Sequence, residues 1–227
     1  MKNGIISILP LAAGAALYGF AFGILASQMG FPWWGVALMS GAVHAGSSQI
    51  IAVERFAVDG LLIGAVLAGV ALNLRYLGIV ASLGTILKDV PLAQKLIAIH
   101  ITGDENWALT LARKAKDPTI GVSFLIGSGI VMITTWTLST TAGALFGTTI
   151  PDLASYGLGF AFTAAFIAMA RALCRGIPDL LPWIFTFFTT TLLIKLTGNS
   201  ALSILIGSSA GIALSFFTGR NKTGIPS

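Results

Sequence analysis

The chain has 227 residues, of which 56% are hydrophobic and only 9% are charged, and its mean hydropathy is +0.91. This balance excludes an ordinary soluble domain and predicts an integral membrane protein. The formal net charge of +5 does not indicate a nucleic-acid partner, because the Lys and Arg residues fall in short connections between apolar runs, as membrane topology predicts.

Eight apolar segments follow one another along the chain, and most approach the roughly 20 residues that a membrane-spanning helix needs. They lack the alternation of barrel strands. We therefore predict an all-α integral membrane protein, a polytopic helical bundle of about seven or eight segments within a single domain over residues 1–227. The segments are 7–29, 33–53, 60–87, 92–112, 120–149, 155–171, 179–197 and 200–218.

Four of these segments have features of their own. The first is longer than the apolar core of a signal peptide, so we expect an uncleaved span. The third and fifth are long enough to be tilted or broken. The second, 33–53, is rich in Gly and Ser and is expected to be re-entrant or unwound, which requires shielding of its backbone from lipid.

The distribution of positive charge predicts the topology. With a cytoplasmic N-terminus, nine Lys and Arg residues lie inside, three lie outside and Arg75 lies within a span, which favours cytoplasmic positions for both termini and an even number of spans. Seven spans with one re-entrant segment stay open as an alternative. The nine are Lys2, Arg55, Arg113, Lys114, Lys116, Arg171, Arg175, Arg220 and Lys222, and the three are Lys88, Lys95 and Lys195.

Small residues and cysteine add two structural expectations. Glycine pairs with GxxxG spacing predict close approach of helix backbones. A single cysteine, Cys174, excludes an intrachain disulfide, and no metal ion or other cofactor is expected. The glycine pairs are Gly19 and Gly23, Gly60 and Gly64, Gly143 and Gly147, and Gly207 and Gly211.

The second segment carries the first group of polar residues, which ends in Gly46-Ser47-Ser48-Gln49. An unperturbed histidine titrates near neutral pH, so His44 could relay protons, and the flanking glycines permit local unwinding for a substrate-lining element. The alternative is a packing face whose hydroxyl groups bond to their own helix. A continuous helix would place four polar residues on one face: Ser40, His44, Ser47 and Ser48.

The second group is Asn73, Arg75 and Tyr76, inside the third segment. An ionised side chain at the bilayer centre costs roughly 2.5–3.5 kcal/mol on insertion scales, so Arg75 is expected to face protein or water and to have an anionic partner. That partner is a carboxylate of the protein or of a substrate. A static salt bridge and a broken helix that lets Arg75 reach an interface are the alternatives.

The third group is His100, Asp104, Glu105 and Asn106. On a continuous helix His100 and Asp104 would be neighbours one turn apart, a spacing that allows a proton relay. The two acidic residues are the expected counter-ions of Arg75, and carboxyl groups in a low-dielectric setting can exchange protons near neutral pH. A static ion pair is again the alternative.

These residues are compatible with two classes of function, a transporter and an intramembrane hydrolase, and a channel for small polar solutes is a third possibility. A transporter would use Arg75, Asp104 and Glu105 near its centre. An intramembrane hydrolase would need Ser47 or Ser48 as nucleophile with His44 or His100 as base, but Ala45-Gly46-Ser47-Ser48-Gln49 is not the Gly-x-Ser-Gly of rhomboid-type proteases. We therefore do not expect an enzyme.

Five motifs in order along the chain resemble those of the AzlC family, the large subunits of bacterial branched-chain amino-acid exporters. Departures from the family pattern are His44, where an apolar or aromatic residue is usual, Tyr76, where His is common, and Asn106, where Ser or Thr is usual. The motifs are Gly19–Ala26, Leu38-Met39-Ser40 through Gln49, Leu72-Asn73-Leu74-Arg75-Tyr76, Asp104-Glu105 and Gly157–Ile167.

The resemblance implies a multi-pass protein of the bacterial inner membrane that exports valine, leucine or isoleucine together with a small AzlD-like membrane subunit encoded as a separate polypeptide. A zwitterionic substrate also fits the charged residues, and export is expected to be driven by protons. The predicted partners are thus a small amino-acid substrate, the lipid bilayer and that subunit. The candidate substrate or coupling residues are Arg75, Asp104, Glu105, Asn73, Gln49, His44, Ser47, Ser48 and His100.

Overall fold

The structure is a computed structural model and describes residues 1–147, 149, 167 and 176–220. Apart from Ile167, the predicted segment 155–171 lies outside the described residues, as do Cys174 and two of the arginines predicted to be cytoplasmic, Arg171 and Arg175. All regular elements within the described ranges are α-helices, which confirms the predicted all-α class.

Contacts between Cα atoms divide the chain into two compact units, Met1–Met169 and Ala170–Ser227. The prediction of one transporter domain over the whole chain stays a prediction. The described helices of the first unit are α1 Lys2–Gln28, α2 Trp33–Val43, α3 Gly46–Asp59, α4 Leu62–Asn73, α5 Arg75–Ser82, α6 Gly84–Leu87, α7 Leu92–His100, α8 Asp104–Lys114 and α9 Val122–Phe146, and those of the second are α10 Ile177–Thr197 and α11 Ser200–Arg220.

Helix length and composition agree with a membrane protein. Among the described residues four stretches are long and apolar enough to cross a bilayer, and α2 and Leu202–Thr218 are shorter apolar helices. Large apolar side chains face outward along them, for example Leu67 on α4, which is 61% exposed. The four stretches are Lys2–Gln28, Leu62–Ser82, Val122–Phe146 and Leu180–Thr197.

The core of the first unit is the crossing of α1 and α9, where glycines allow backbone contact. A Cβ on Gly23 would overlap the carbonyl oxygen of Thr140, and a Cβ on Gly143 would overlap that of Phe20. In the second unit Gly207 and Gly211 make room for side chains instead, since a Cβ on either would overlap the hydroxyl group of Thr190 or Thr186. Close approach at these GxxxG pairs is confirmed.

One glycine of the GxxxG pairs, Gly60, has a different role. Gly60 ends α3 in the left-handed conformation, with φ of 64°, and its N–H donates to the Phe56 carbonyl. No atom lies within 4 Å of a Cβ placed there. The prediction that Gly60 supports helix packing is therefore wrong, and its function is to close the helix at a φ that favours glycine.

Two predicted segments are interrupted near their middle. The second breaks between α2 and α3, where His44 has φ 42° and ψ 48° and Ala45 is extended, so the expected unwinding is confirmed. The fourth breaks at residues 101–103, between α7 and α8. The prediction of a continuous segment over 92–112 is wrong.

The third and fifth segments, which were both predicted to be long enough to be broken, differ in their continuity. The third, 60–87, contains α4, α5 and α6, but Leu74 between α4 and α5 keeps right-handed helical angles (φ −55°, ψ −25°), so Leu62–Ser82 runs as one membrane-length stretch. In the fifth, 120–149, Val122–Phe146 form one uninterrupted helix, α9. This helix and α1 contact the helices of the second and fourth segments.

Candidate functional site

The two interruptions face each other across a small cavity. A Cβ placed on Gly103, in the second break, would lie 3.3 Å from His44 Cε1, in the first break, and 3.4 Å from Glu105 Oε2. The cavity has a volume of about 30 Å³, enough for a few water molecules. Its lining residues are Ala15, Tyr18, His44, Ala45, Gly46, Ser47, Tyr76, Gly103, Asp104, Glu105, Met132 and Trp136.

The backbone geometry of each break follows from local chemistry. A residue with a Cβ in the left-handed conformation is disfavoured by about 1–2 kcal/mol, and the Tyr76 hydroxyl donates to the carbonyl oxygen of His44 at 3.4 Å, which helps hold the first break. Gly46 is needed beside it, because a Cβ there would come within 2.7 Å of the Trp136 ring and 2.8 Å of the Tyr18 ring. The aromatic walls can therefore close on the backbone.

Arg75 and Asp104 form an ion pair beside the cavity. Arg75 Nη2 lies 3.1 Å from Asp104 Oδ2, and the guanidinium carbon lies 5.5 Å from the centroid of the Tyr76 ring. Asp104 is also at the first turn of α8, where the helix dipole favours negative charge. The carboxylate expected as the counter-ion of Arg75 is thus in place.

Glu105 differs from its neighbour. Within the described part of the chain, no cationic side chain lies within 4.0 Å of its carboxylate. Both acidic side chains line the cavity, but a single described guanidinium compensates them. The cavity wall therefore carries one negative charge in excess when both carboxyl groups are ionised.

A buried hydrogen-bond network fixes the first break to α9. The Gln49 side chain donates to Ser40 Oγ at 3.1 Å and accepts from the Trp136 indole N–H at 2.8 Å. Thr140 on α9 donates to the same Ser40 hydroxyl at 2.8 Å. Gln49, predicted as a substrate residue, is 1% exposed and serves in this structure to join α2, α3 and α9.

Two more of the predicted site residues bond to each other. Ser48 Oγ donates to Asn73 Oδ1 at 2.5 Å, which ties the start of α3 to the end of α4. Neither residue lines the cavity. Their structural positions match the packing alternative more closely than direct contact with a substrate.

Asn106 fixes the second break in the same way. Its Oδ1 accepts the Gly103 N–H at 2.7 Å, and its Nδ2 donates to the carbonyl oxygens of Ile101 and Leu125, each at 3.4 Å. Asn106 is fully buried. One amide thus closes the start of α8 and joins it to α9.

Replacing Asn106 by Ala is expected to lower the free energy of unfolding by about 2 kcal/mol, because each buried polar group left without a partner costs about 1–3 kcal/mol. Thermal unfolding of the purified protein in detergent, followed by tryptophan fluorescence, measures the change. The control is Asn3→Ala at the exposed start of α1. Equal melting temperatures for the two variants would contradict the assigned role.

Two predicted helical faces are wrong because of the breaks. Ser40 belongs to α2, whereas Ser47 and Ser48 belong to α3, so they do not share one helix with His44. His100 ends α7 and Asp104 begins α8, so the relay between one-turn neighbours does not exist. His100 is exposed and does not line the cavity.

Two polar atoms at the first break have no hydrogen-bond partner in the described residues. They are Nδ1 of His44 and Oγ of Ser47, and both are buried. Both residues line the cavity. Buried polar groups without hydrogen-bond partners are uncommon in proteins, so these two atoms indicate a function other than packing.

Sequence reasoning missed the aromatic and apolar lining of the cavity. The Tyr18 and Trp136 rings lie tilted against each other at a centroid distance of 5.2 Å, and Met132 lies one turn from Trp136 on α9. Trp136 lies among hydroxyl residues in Thr134-Thr135-Trp136-Thr137, and its indole N–H was the one available indication. Among the described residues no group of three or more His, Cys, Asp and Glu side chains is arranged to hold a metal ion.

Interrupted apolar helices around an internal charged cavity define a polytopic helical membrane protein with a polar centre. The AzlC family profile, described as AzlC protein, matches residues 10–150, which include most of α1 and all of α2 to α9 with both breaks, and the chain belongs to this family. Two relatives, each called an uncharacterized membrane protein, come from Helicobacter pylori strains 26695 and J99. Each is 23% identical over 168 residues, which cover 74% of this chain and 73% of the relative. No solved structure matches.

Proposed function

We propose that this protein is a secondary-active transporter that exports branched-chain or similar small apolar amino acids across the bacterial inner membrane. The observation that carries the proposal is the meeting of two interrupted helical segments at a charged cavity. Discontinuous helices in transporters place helix ends and unpaired backbone groups at the substrate site. Membership of the AzlC family supports amino-acid export as the particular activity.

The chemistry of the cavity suits a zwitterion with an apolar side chain. Carboxyl groups, the Ser47 hydroxyl and the His44 imidazole are available for charged groups, and Met132, Trp136 and Ala15 provide apolar surface. With a volume of about 30 Å³, the cavity has room for water molecules rather than for an amino acid. Export therefore requires the site to widen, as alternating access demands.

Proton coupling and the partner subunit complete the proposal. The excess carboxylate at Glu105 is the group best placed to carry a proton when substrate is absent, because a proton would neutralise the cavity wall. The positive charges of the connections support cytoplasmic termini. A small AzlD-like membrane subunit is proposed as the partner.

The test is export of a panel of labelled amino acids from bacterial cells that express this chain with and without a small partner subunit. Export of valine, leucine or isoleucine that exceeds export from cells lacking the chain is the expected result. Collapse of the pH gradient with an uncoupler is expected to stop it. Unchanged efflux on expression would refute the transporter proposal, and export that persists without the gradient would refute proton coupling alone.

The alternatives receive less support. A hydrolase needs a nucleophile bonded to a base, yet Ser48 donates to Asn73, and neither Ser47 Oγ nor His44 Nδ1 has a hydrogen-bond partner in the described residues. A channel would show efflux that rises linearly with substrate concentration. Saturation of the initial rate in the export assay distinguishes the transporter from it.

A further inference from the structure

We infer that the cavity binds the two charged groups of an amino acid at separate subsites: Glu105 binds the ammonium group, and the first turn of α3 with Ser47 and His44 binds the carboxylate. The inference rests on the proposed function and deepens it. It also assigns Arg75 and Asp104 to a positioning role rather than to direct binding.

The ammonium subsite follows from the balance of charge. Asp104 is already paired with Arg75 at 3.1 Å, whereas no described cationic side chain lies within 4.0 Å of Glu105. Glu105 lines the cavity, and its Oε2 lies 3.4 Å from the position that a Cβ on Gly103 would occupy, so a side chain at residue 103 would crowd the carboxylate. An alkylammonium ion satisfies an uncompensated carboxylate with both charge and hydrogen bonds.

The carboxylate subsite lies at the start of α3, a helix of 14 residues. Its N-cap residue is Ala45, whose side chain makes no capping hydrogen bond, so the first N–H groups of the helix lack the usual side-chain acceptor. Unpaired N–H groups and the positive end of the helix dipole favour a bound anion. Gly46, the first residue of the helix, itself lines the cavity beside the Trp136 and Tyr18 rings.

A second observation points to the same place. His44 is 6% exposed, yet its Nδ1 has no hydrogen-bond partner in the described residues, and Ser47 Oγ also has none. Both side chains line the cavity beside the N–H groups of α3. A hydroxyl donor and an imidazole N–H complete a set of donors that a carboxylate would fill.

Arg75 is less suited to bind the substrate carboxylate. It is absent from the cavity lining, and its guanidinium is engaged by Asp104 and lies near Tyr76. Its effect on the site is to neutralise Asp104. That leaves a single negative charge, at Glu105, for a single ammonium group.

Three probes separate the two subsites: L-leucine, leucinamide, which lacks the carboxylate, and 4-methylpentanoate, which lacks the ammonium group. Competition with labelled L-leucine is measured on the purified protein in lipid nanodiscs. For the wild-type protein both analogues are expected to compete at least about tenfold more weakly than L-leucine, since loss of one ion-pairing group of about 1.4 kcal/mol corresponds to that factor.

The variants should change two affinity ratios in opposite ways: that of L-leucine to 4-methylpentanoate and that of L-leucine to leucinamide. Glu105→Gln is expected to abolish the advantage of L-leucine over 4-methylpentanoate while its advantage over leucinamide remains. The double variant His44→Ala with Ser47→Ala is expected to do the reverse. Asp89→Asn and Ser209→Ala are matched controls on exposed residues and should preserve both ratios.

Unchanged or exchanged ratios in the folded variants would overturn the assignment of subsites. If Glu105→Gln fails to fold, Glu105→Asp replaces it and should lower the affinity for both L-leucine and leucinamide. If the double variant fails to fold, Ser47→Ala replaces it and should reduce only the advantage of L-leucine over leucinamide. A wild-type protein that neither binds nor exports amino acids would refute the proposed function itself. Export with unaltered ratios in the variants would refute the subsites and leave that function standing.

Discussion

Replacement of Arg75 by Gln is expected to reduce export of branched-chain amino acids to below about a tenth of the wild-type rate. The change removes the described cation that compensates Asp104, so the cavity wall carries two uncompensated carboxylates instead of one. An unpaired charge in a low-dielectric setting is strongly unfavourable. The initial rate of export, normalised to the amount of folded protein in the membrane, measures the effect.

A second substitution separates loss of charge balance from loss of a binding group. Asp104→Asn added to Arg75→Gln restores the net charge of the cavity wall and should recover a larger share of export than Arg75→Gln alone. Asp89→Asn added to Arg75→Gln is the control, because Asp89 is exposed in the connection before α7. No recovery in the first double variant would instead indicate that Arg75 contacts the substrate.

Replacement of Gly143 by Ala is expected to lower the free energy of unfolding by about 3 kcal/mol, the upper end of overpacking costs. The added Cβ would overlap the carbonyl oxygen of Phe20 and lie 3.1 Å from the Cα atom of Gly23. Both neighbours are main-chain atoms of α1, so no flexible side chain can move aside. The two helices must separate along their whole contact. Thermal unfolding in detergent measures the change.

The same substitution elsewhere provides the control. Gly14 lies on α1, and no atom falls within 4 Å of a Cβ placed there. Gly14→Ala should leave the melting temperature unchanged or raise it slightly, because alanine favours helix. A similar loss of stability in both variants would contradict the assignment, because helix propensity favours alanine at both positions and only Gly143 contacts a neighbouring backbone.

Composition and glycine spacing were sufficient for the class of fold and for its closest helix contact. Apolar runs of membrane-spanning length predicted the helices, and GxxxG spacing predicted that Gly23 and Gly143 would meet a neighbouring backbone. The break at residues 101–103 was not predictable in this way. Its cause is the Asn106 side chain, which binds Gly103 locally but also the carbonyl oxygen of Leu125 on another helix. Sequence patterns within one segment do not contain such a contact.

The candidate site, like the fold, could be predicted from the sequence only in part. The cost of intramembrane charge was enough to single out Arg75, Asp104 and Glu105, and the structure brings all three to one cavity region. It was not enough to separate binding residues from supporting ones. Gln49 and Asn73 are polar in sequence, yet each is bonded to another side chain. Whether a polar residue has a partner depends on the packing of neighbouring helices, which the segment itself does not reveal.

The connection of both breaks to α9 has a mechanical consequence. Trp136 holds one break through Gln49, and the Leu125 carbonyl holds the other through Asn106. These anchor points are about three turns apart, or roughly 16 Å at the rise of an α-helix. Because an uninterrupted helix can hardly be stretched, α9 fixes the distance between the two breaks. Any tilt or rotation of this helix moves both walls of the cavity at once.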